Sequence, residues 1–255
     1  MEALEMKTLT KENIQDEHIC GAFSDKKCAE GYQAKKDWLA EQFDDGYVFK
    51  KMDVRGKVFI EYVPVENGWL PIDAPNFMLI NCFWVSGKYK GQGFGKQLFQ
   101  ACEAEAKEKG MDGIVLVAGS KKQPFMSEKK FFKLQGFELC DTAPPYFELW
   151  YKPFAEGNLS PTFKEITQKA ECDIKEGLAV YYTNACPFTE YYVNTELKSV
   201  AAKRGLKFTA KKLSREEAQN HFVPHTMYSI FYNGKFVTQH ILNEKYSDKF
   251  LGEFM

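Results

Sequence analysis

The sequence has no long hydrophobic run and no excess of charge of either sign. Its longest apolar stretch, Phe77–Val85, is interrupted by Asn81 and is far shorter than the ~20 residues that span a bilayer. The 34 basic and 35 acidic side chains nearly cancel, so a surface for a nucleic-acid backbone is not expected. The first residues include acids and lack the apolar core of a signal peptide. We therefore expect no membrane partner, no nucleic-acid partner and a cytoplasmic location.

The cysteines also lack any recognisable arrangement. There are seven of them, an odd number, and no two are spaced as CxxC. This disfavours a disulfide framework or a zinc site and favours reduced thiols. His221, His225 and Cys186 follow no known ligand spacing, so we predict no metal site.

What is present is typical of a globular protein of ordinary composition. Apolar residues make up 44% of the 255 residues, and aromatic residues 15%. This length suggests two compact domains. The segment 152–161 contains two prolines, a glycine and small polar residues, which is the composition of a linker. We therefore predict a domain over residues 1–154 and a second over 155–255.

The first domain shows a mixed pattern of helices and strands. Ser127 is expected to cap the last of its helices, and Gly110 to end the one before it. The continuous apolar pattern of 78–85 indicates a strand buried on both faces. The predicted elements are a mainly helical region over 10–43, strands over 46–52, 57–63, 78–85, 114–117 and 147–151, and helices over 94–109 and 127–134.

The second domain alternates strands and helices in the order β-α-β-α-β-β-α. Asn233-Gly234 predicts a tight hairpin, and Ser214 is placed to cap a helix. The predicted elements are strands over 178–182, 207–213, 227–232 and 235–241, and helices over 188–204, 214–221 and 243–254.

A glycine-rich loop follows the buried strand and precedes a helix, an arrangement suited to binding an anion. The first amides of a helix have no partner within it, and the helix dipole favours negative charge there. A P-loop would need Ser or Thr after Gly95-Lys96, but Gln97 follows. A dinucleotide fingerprint would need a third glycine at Lys96. The pattern that remains is Lys90-x-x-Gly93-x-Gly95.

The segment Val85-Ser-Gly-Lys-Tyr-Lys-Gly-Gln-Gly-Phe-Gly-Lys96 resembles motif A of the GNAT superfamily of N-acetyltransferases. Leu134-Gln-Gly-Phe137 resembles the family's GF element. The resemblance implies the α+β/α/β fold of that family, a GNAT-type mixed sheet with flanking helices, and acetyl-CoA as co-substrate. It implies that a strand backbone pairs with the pantetheine arm and that loop amides hold the pyrophosphate. The implied contacts are Phe83, Trp84, Val85, Lys90, Gly91, Gln92, Gly93, Phe94, Gly95 and Lys96.

Two positions depart from the family's pattern. Lys90 stands where Arg or Gln is usual, and it offers a point charge without a bidentate fork. Phe132 occupies the position where many members carry a Tyr that donates a proton. Either another residue serves as the acid, or the CoA thiolate leaves unassisted, which the thiol pKa of ~8.5 permits.

Three residues are predicted as candidates for acid and base chemistry. Glu61 lies in an otherwise apolar strand, where burial would raise its pKa as suits a base. Cys82 lies on the strand beside the cofactor, and Tyr146 near the last strands could donate a proton. Asp73 and His18 are weaker candidates. The Pro-rich insertion 64–76, which contains Trp69, is expected either to shape an acceptor pocket or to be a packed hairpin extension.

The second domain resembles a thioredoxin fold, with Cys186-Pro187 just after its first strand. Thr189 replaces the second cysteine, so no internal disulfide can form there. A thiol at a helix N-terminus should have its thiolate stabilised, which makes Cys186 a candidate thiol site. The combination of an acetyltransferase-like first domain with this second domain resembles the bacterial YoaP-like family, and the resemblance covers the whole chain.

The sequence therefore predicts an acetyl-CoA-dependent N-acetyltransferase that acts by direct transfer to an amine. The acceptor would be a small molecule or a peptide. The second domain is expected either to act through Cys186 or to serve as a docking module or one that forms a homodimer, with Cys186 merely packed. Two alternatives stay open: a non-catalytic acyl-CoA sensor or scaffold, suggested by Phe132 and Lys90, and a monothiol redox protein acting through Cys186.

Overall fold

The protein contains two main β-sheets with helices packed on them. The computed structural model describes residues 4–157 and 160–252. The strands are β1 Met6–Thr8, β2 Val48–Met52, β3 Val58–Pro64, β4 Ile72–Asp73, β5 Phe77–Val85, β6 Gly113–Gly119, β7 Glu138–Ala143, β8 Phe147–Pro153, β9 Thr162–Phe163, β10 Leu178–Tyr182, β11 Phe208–Lys212, β12 Tyr228–Tyr232 and β13 Lys235–Thr238. The α-helices are α1 Ala29–Gln42, α2 Phe94–Glu108, α3 Lys129–Leu134, α4 Thr189–Tyr191, α5 Lys198–Lys203, α6 Arg215–Gln219 and α7 Glu244–Leu251.

The first sheet has seven strands in the order β1-β2-β3-β5-β6-β8-β7. Only β5 and β6 pair in parallel; the other neighbours are antiparallel. The strands and the long helix predicted between 46 and 151 are confirmed. This is the predicted mixed sheet with flanking helices.

Two predictions for the first half were wrong. The region 10–43 is helical only from a 3₁₀ helix at Lys26–Cys28 onward, because Ala22 adopts a left-handed φ of 68° and Asp25 caps that short helix just before α1. A short strand, β1, also precedes that region. Ser127 does not cap α3; Glu128 holds the N-cap position, and its side chain makes no cap hydrogen bond.

The two faces of the first sheet are covered by different elements. On one face, Leu98 and Phe99 of α2 pack with Ile60 and Met78 of the sheet. On the other face, the sheet packs against α1 and against the second half of the chain. The buried residues of that face form one cluster, which includes Leu39, Leu79, Val115, Tyr181 and Phe231. The two halves therefore share a continuous hydrophobic core.

A gap opens in the first sheet where β5 and β6 separate. Their pairing runs from Phe77↔Gly113 to Ile80↔Leu116, and within the described chain it goes no further. β5 remains paired with β3 as far as Val85, with Asn81 as an extra residue at a β-bulge. The prediction that β5 is buried on both faces was wrong for its second half, because β6 no longer pairs with β5 there. Trp84 is 44% exposed.

The second sheet has four strands in the order β11-β10-β12-β13. β10 and β11 are parallel, and the other two pairs are antiparallel. The predicted order of elements is confirmed, including the hairpin, whose turn residues Asn233 and Gly234 have φ values of 48° and 86°.

The helices of the second half begin where the sequence predicts. The predicted helix over 188–204 consists of α4, a π-helical segment Tyr192–Leu197 and α5. Ser214 caps α6 in a capping box with Glu217. Asn243 caps α7, and the predicted end of that helix at Phe254 lies outside the described residues. In the part of the chain that the structure describes, no helix has the length and apolar character needed to cross a membrane.

The Pro-rich insertion 64–76 is held between the two halves. Its strand β4 pairs with β9, and Trp69 packs against Trp38 with ring centroids 5.4 Å apart. The Thr226 hydroxyl donates a hydrogen bond to the Trp69 carbonyl oxygen at 2.7 Å. The insertion therefore contacts the second half directly, and Leu70 lines a cavity described below.

Candidate active site

The glycine-rich loop forms an open cradle of backbone at the start of α2. Gly87, Gly91 and Gly93 have φ values of 56°, 75° and 84°, a left-handed conformation that glycine adopts without strain. A Cβ added at any of them would meet no described atom within 4 Å. The first intrahelical bond of α2 runs from the Gln97 amide to the Gly93 carbonyl, so the preceding amides have no partner within the helix. The loop is thus accessible to an anionic group.

Gly95 allows α2 to lie close against β5. A Cβ there would come within 3.2 Å of the Phe83 ring and 3.5 Å of the Phe131 ring. This close approach places the beginning of α2 beside the outer half of β5, where the gap opens.

Basic side chains surround the loop. Lys88, Lys90 and Lys96 are exposed. The pKa of Glu128 is lowered, mainly by a hydrogen bond with Lys122 and further by the positive charge of Lys90. The surroundings of the loop therefore favour negative charge.

Phe132 is part of the core and has no role in proton transfer. It is fully buried, and its ring contacts those of Phe83, Phe99 and Phe137 at centroid distances of 5.3, 6.2 and 5.2 Å. The Phe132 ring packs from α3 into the core and has no polar atom that could donate a proton.

Glu61 is fully buried, and it forms an ion pair. The Lys35 ammonium donates a hydrogen bond to Oε1 at 2.6 Å, and the Tyr47 hydroxyl donates to Oε2 at 2.7 Å. Burial by itself lowers the pKa of Lys35, but interactions with Cys20, Glu61 and Cys82 together outweigh that effect and hold the pKa above its usual value. Asn81 Nδ2 donates to the Tyr47 hydroxyl at 2.8 Å. The network therefore connects Glu61 to the β-bulge at the gap.

Cys82 lies opposite Glu61 in the register of β3 and β5. Burial raises the pKa of its thiol well above the usual value, and the negative charge of Glu61 raises it further. The thiol is therefore protonated at neutral pH, so Cys82 is not a thiolate nucleophile in this state.

The expectation of a stabilised thiolate at Cys186 was wrong. Burial raises the pKa of this thiol to about 12. The segment packs directly on α1, where a Cβ at Gly31 would come within 2.3 Å of the Pro187 carbonyl oxygen. Desolvation against α1 outweighs the favourable backbone hydrogen bond of Phe188.

Tyr146 lies at the contact between the two halves. Its ring packs against Phe147 and Phe236, and its hydroxyl donates to Gln239 Oε1 at 3.4 Å. Burial raises the pKa of Tyr146 to about 12, so the hydroxyl stays protonated.

The two weaker candidates lie elsewhere. Asp73 is an exposed residue of β4. His18 is half-buried near Lys51 and the Gly56 carbonyl, and burial lowers its pKa. In residues 4–157 and 160–252, no three His, Cys, Asp or Glu side chains are grouped so that they could hold a metal ion.

A cavity lies where β5 and β6 separate, and the second half of the chain forms one of its walls. Its volume is about 20 Å³, which is room for about one water molecule. It is lined by Leu70, Ile80, Asn81, Val117, Phe125, Met126, Pro224, His225, Thr226 and Met227.

Several residues of this region were not predicted as functional. Lys35 and Tyr47 carry no local signal, because their partner Glu61 is distant in sequence. Asn81 did carry one, since it is the polar residue that interrupts the apolar run of β5. His225 was considered only as a metal ligand.

A mixed sheet that opens beside a glycine-rich loop at a helix N-terminus defines a GNAT-type acyltransferase, and the family comparison agrees. The model of the Acetyltransferase (GNAT) family matches residues 12–137, and a model described as YoaP-like matches residues 210–249. A protein of Bacillus subtilis (strain 168) named "Uncharacterized N-acetyltransferase YoaP" is 44% identical over 244 residues, 95% of this chain and 96% of the relative. The chain therefore belongs to the YoaP family of GNAT N-acetyltransferases. It is an acyltransferase, with acetyl-CoA as co-substrate.

Solved structures with a similar shape are more distant. The PaiA N-acetyltransferase of Thermoplasma acidophilum, in complex with coenzyme A, is 17% identical, with a TM-score of 0.42 over 60% of this chain and 99% of that one. A ribosomal-protein-alanine N-acetyltransferase of Brucella melitensis is 14% identical, with a TM-score of 0.41 over 59% of this chain and 100% of that one.

Proposed function

We propose that the chain transfers the acetyl group of acetyl-CoA directly to an amine that reaches the β5–β6 gap from the face on which the second half of the chain packs. The observation that carries this proposal is the separation of β5 from β6 after Ile80↔Leu116, next to the loop at the start of α2. The loop precedes α2 and so lies on the α2 face of the sheet. The cavity has a wall from the second half, which packs on the opposite face. Donor and acceptor would therefore approach the gap from opposite faces.

The backbone of Phe83–Val85 would pair with the pantetheine arm, in the place that a continued β6 would occupy. The amides of residues 90–96 would hold the pyrophosphate, because they lie in the open loop and the first turn of α2, with basic side chains around them. Lys90 would contribute a point charge there.

The raised pKa of the Cys82 thiol supports direct transfer without an acyl-cysteine. The amine nitrogen attacks the thioester carbonyl, a C–N bond forms and the C–S bond breaks. The sulfur leaves as a thiolate, which requires little assistance because its thiol is a moderate acid. The amine gives up one proton and the thiolate gains one, so the products are an amide and CoA.

The three predicted catalytic side chains would have different roles. Glu61 would position Tyr47, and through it Asn81, rather than take a proton, since Lys35 and Tyr47 already occupy both carboxylate oxygens. Cys82 is our candidate for contact with the thioester because it follows Asn81 on β5. Tyr146 stays a predicted proton donor, although a pKa of about 12 makes its hydroxyl a weak acid.

Residues 1–154 would form the acetyltransferase domain and residues 155–255 a thioredoxin-like domain. The strand order β11-β10-β12-β13, with one parallel pair, supports the second assignment. The burial of Cys186 favours a packed residue over a redox thiol. A homodimer stays a prediction.

Acetyl-CoA should raise the unfolding temperature of the protein, whereas ATP and NADPH should have little effect. A ligand present at 100 times its Kd adds about 2.7 kcal/mol to the free energy of unfolding. Thermal unfolding with each nucleotide measures the difference. Release of free CoA thiol in the presence of amines then measures transfer. An absence of any selective shift at millimolar acetyl-CoA would contradict the cofactor site, and binding without turnover over a broad amine panel would contradict transfer.

A further inference from the structure

The β5–β6 gap is almost closed on the side of the second half. Residues 224–227, which belong to the connection between α6 and β12, line the cavity at the gap, and we call them the 224–227 loop. Between this loop and the first sheet there remains a volume of about 20 Å³, enough for about one water molecule. A primary amine with even a few carbon atoms does not fit there. In this position the loop therefore blocks the approach of an acceptor.

The 224–227 loop is buried, but its backbone is held by few hydrogen bonds. Its first three residues are buried, and a buried segment normally pairs its backbone polar groups. Within the described residues, the one backbone hydrogen bond of this loop runs from the Thr183 amide to the Met227 carbonyl oxygen, at 3.3 Å. The loop can therefore move away from the gap without unfolding a helix or a strand.

A side-chain hydrogen bond ties the loop to the first half of the chain. The Thr226 hydroxyl donates to the Trp69 carbonyl oxygen at 2.7 Å, and among the described residues no other hydrogen bond joins the 224–227 loop to the first half. Trp69 itself is fixed, because its indole nitrogen donates to Gln42 Oε1 at 2.9 Å. The loop is therefore the side of this contact that can move.

The closed position of the loop also leaves a buried polar atom unpaired. The side chain of His225 is 4% exposed, and its Nδ1 lies 3.0 Å from the Tyr228 carbonyl oxygen. Its Nε2 has no hydrogen-bond partner within the described chain. Burying an unpaired polar atom is costly, and movement of the loop into water would remove that cost. The closed form is therefore favoured less than its apolar contacts alone would make it.

We propose that the 224–227 loop is a lid on the acceptor site, closed in this structure, and that an amine reaches the gap only when the lid opens. This inference rests on the proposed function. The glycine-rich loop lies on the other face of the sheet, so acetyl-CoA binds whether the lid is open or closed. The second half of the chain thus inhibits its own acetyltransferase site. A lid that is mostly closed weakens the apparent binding of the acceptor in proportion to the closed population.

Thr226→Val tests the hydrogen bond that holds the lid. Valine has a similar shape but no hydroxyl, so the closed form loses one hydrogen bond while its packing is kept. The loss of one such bond should increase the open population about 5-fold. Hydrogen–deuterium exchange of the amides of His225 and Thr226 should become faster by the same factor. The amides of β10 should exchange at an unchanged rate.

Release of CoA thiol from acetyl-CoA measures the effect on acetyl transfer, with methylamine, 2-phenylethylamine and spermidine as probe amines. Thr226→Val should lower the KM of each amine that is acetylated about 5-fold and leave kcat unchanged, since the lid controls only the entry of the acceptor. Isothermal titration should give the same Kd for acetyl-CoA as in the unchanged chain. Turnover that is detectable only in the variant would also support the inference.

Two substitutions separate this role from a general loss of stability. Thr226→Ser keeps the hydroxyl and should retain the exchange rates and the KM of the unchanged chain. Thr238 is as buried as Thr226, and its hydroxyl oxygen accepts a hydrogen bond from the His240 amide within the second half. Thr238→Val should therefore lose stability without changing the exchange of the 224–227 loop or the KM of any amine.

The unchanged chain provides a test that does not depend on the folding of a variant. The amides of His225 and Thr226 should exchange faster than those of β10, because the lid opens locally. Equal protection would overturn the inference, since the loop would then open only when the protein unfolds. Unchanged exchange in a folded Thr226→Val variant, or faster exchange without any gain in turnover, would overturn it as well. The absence of any acetyl-CoA binding would instead contradict the proposed function itself, and the inference with it.

Discussion

Acetyl-CoA should bind about 10- to 100-fold more weakly to a Gly93→Val variant than to the unchanged chain. Gly93 caps α2 with a φ of 84°, which a β-branched residue does not adopt without strain. The variant must therefore rotate the backbone that presents the loop amides, and its side chain would occupy the open space above them. A 10- to 100-fold increase in Kd corresponds to a loss of about 1.4–2.8 kcal/mol of binding free energy. Isothermal titration with acetyl-CoA gives the Kd.

Gly110→Val is the matched control for this change. Gly110 follows the other end of the same helix, has a φ of 67° and also meets no described atom within 4 Å of an added Cβ. The Gly110→Val variant should lose stability because valine is strained at this left-handed φ, but it should bind acetyl-CoA with an unchanged Kd. Equal Kd values for both variants would mean that the loop does not hold the cofactor.

Glu61→Gln should lower the free energy of unfolding by about 3–5 kcal/mol, as expected when one partner of a buried ion pair is removed. The carboxylate is fully buried, and the Lys35 side chain is 2% exposed. The substitution leaves the Lys35 ammonium without an opposite charge in a desolvated site. Urea unfolding of the two proteins measures the difference.

The double variant Lys35→Met with Glu61→Gln should recover most of this loss, because no buried charge remains. Glu176→Gln removes a carboxylate from the exposed pair with Lys207 and should change stability little. A Glu61→Gln variant as stable as the unchanged chain, or a double variant no better than the single one, would contradict the account of this network.

The parts of the fold that the sequence predicts best are those whose signal is local. The strands and helices around the glycine-rich loop, the hairpin at Asn233-Gly234 and the cap at Ser214 all depend on neighbouring residues. The region 10–43 was predicted less well. The left-handed Ala22 and the cap at Asp25 interrupt a composition that otherwise favours a helix.

The candidate site was predictable only in part, because its partners come from distant segments. The loop that would hold the pyrophosphate is continuous in sequence. By contrast, Lys35 meets Glu61 only when α1 packs on the sheet, and Cys186 loses its expected thiolate character by packing on the same helix. His225 reaches the cavity only because the second half packs against the first. Contacts between residues so far apart in the chain produce no recognisable spacing in the sequence.

Hydrogen–deuterium exchange with and without acetyl-CoA tests most directly where the cofactor binds. We expect slower exchange of the amides of Phe83–Val85, at the open edge of β5, and of residues 90–96, in the loop and the first turn of α2. The amides at the other end of α2, around Gly110, should be unaffected. Unchanged exchange in the strand and the loop at saturating acetyl-CoA would contradict the cofactor site beside the β5–β6 gap.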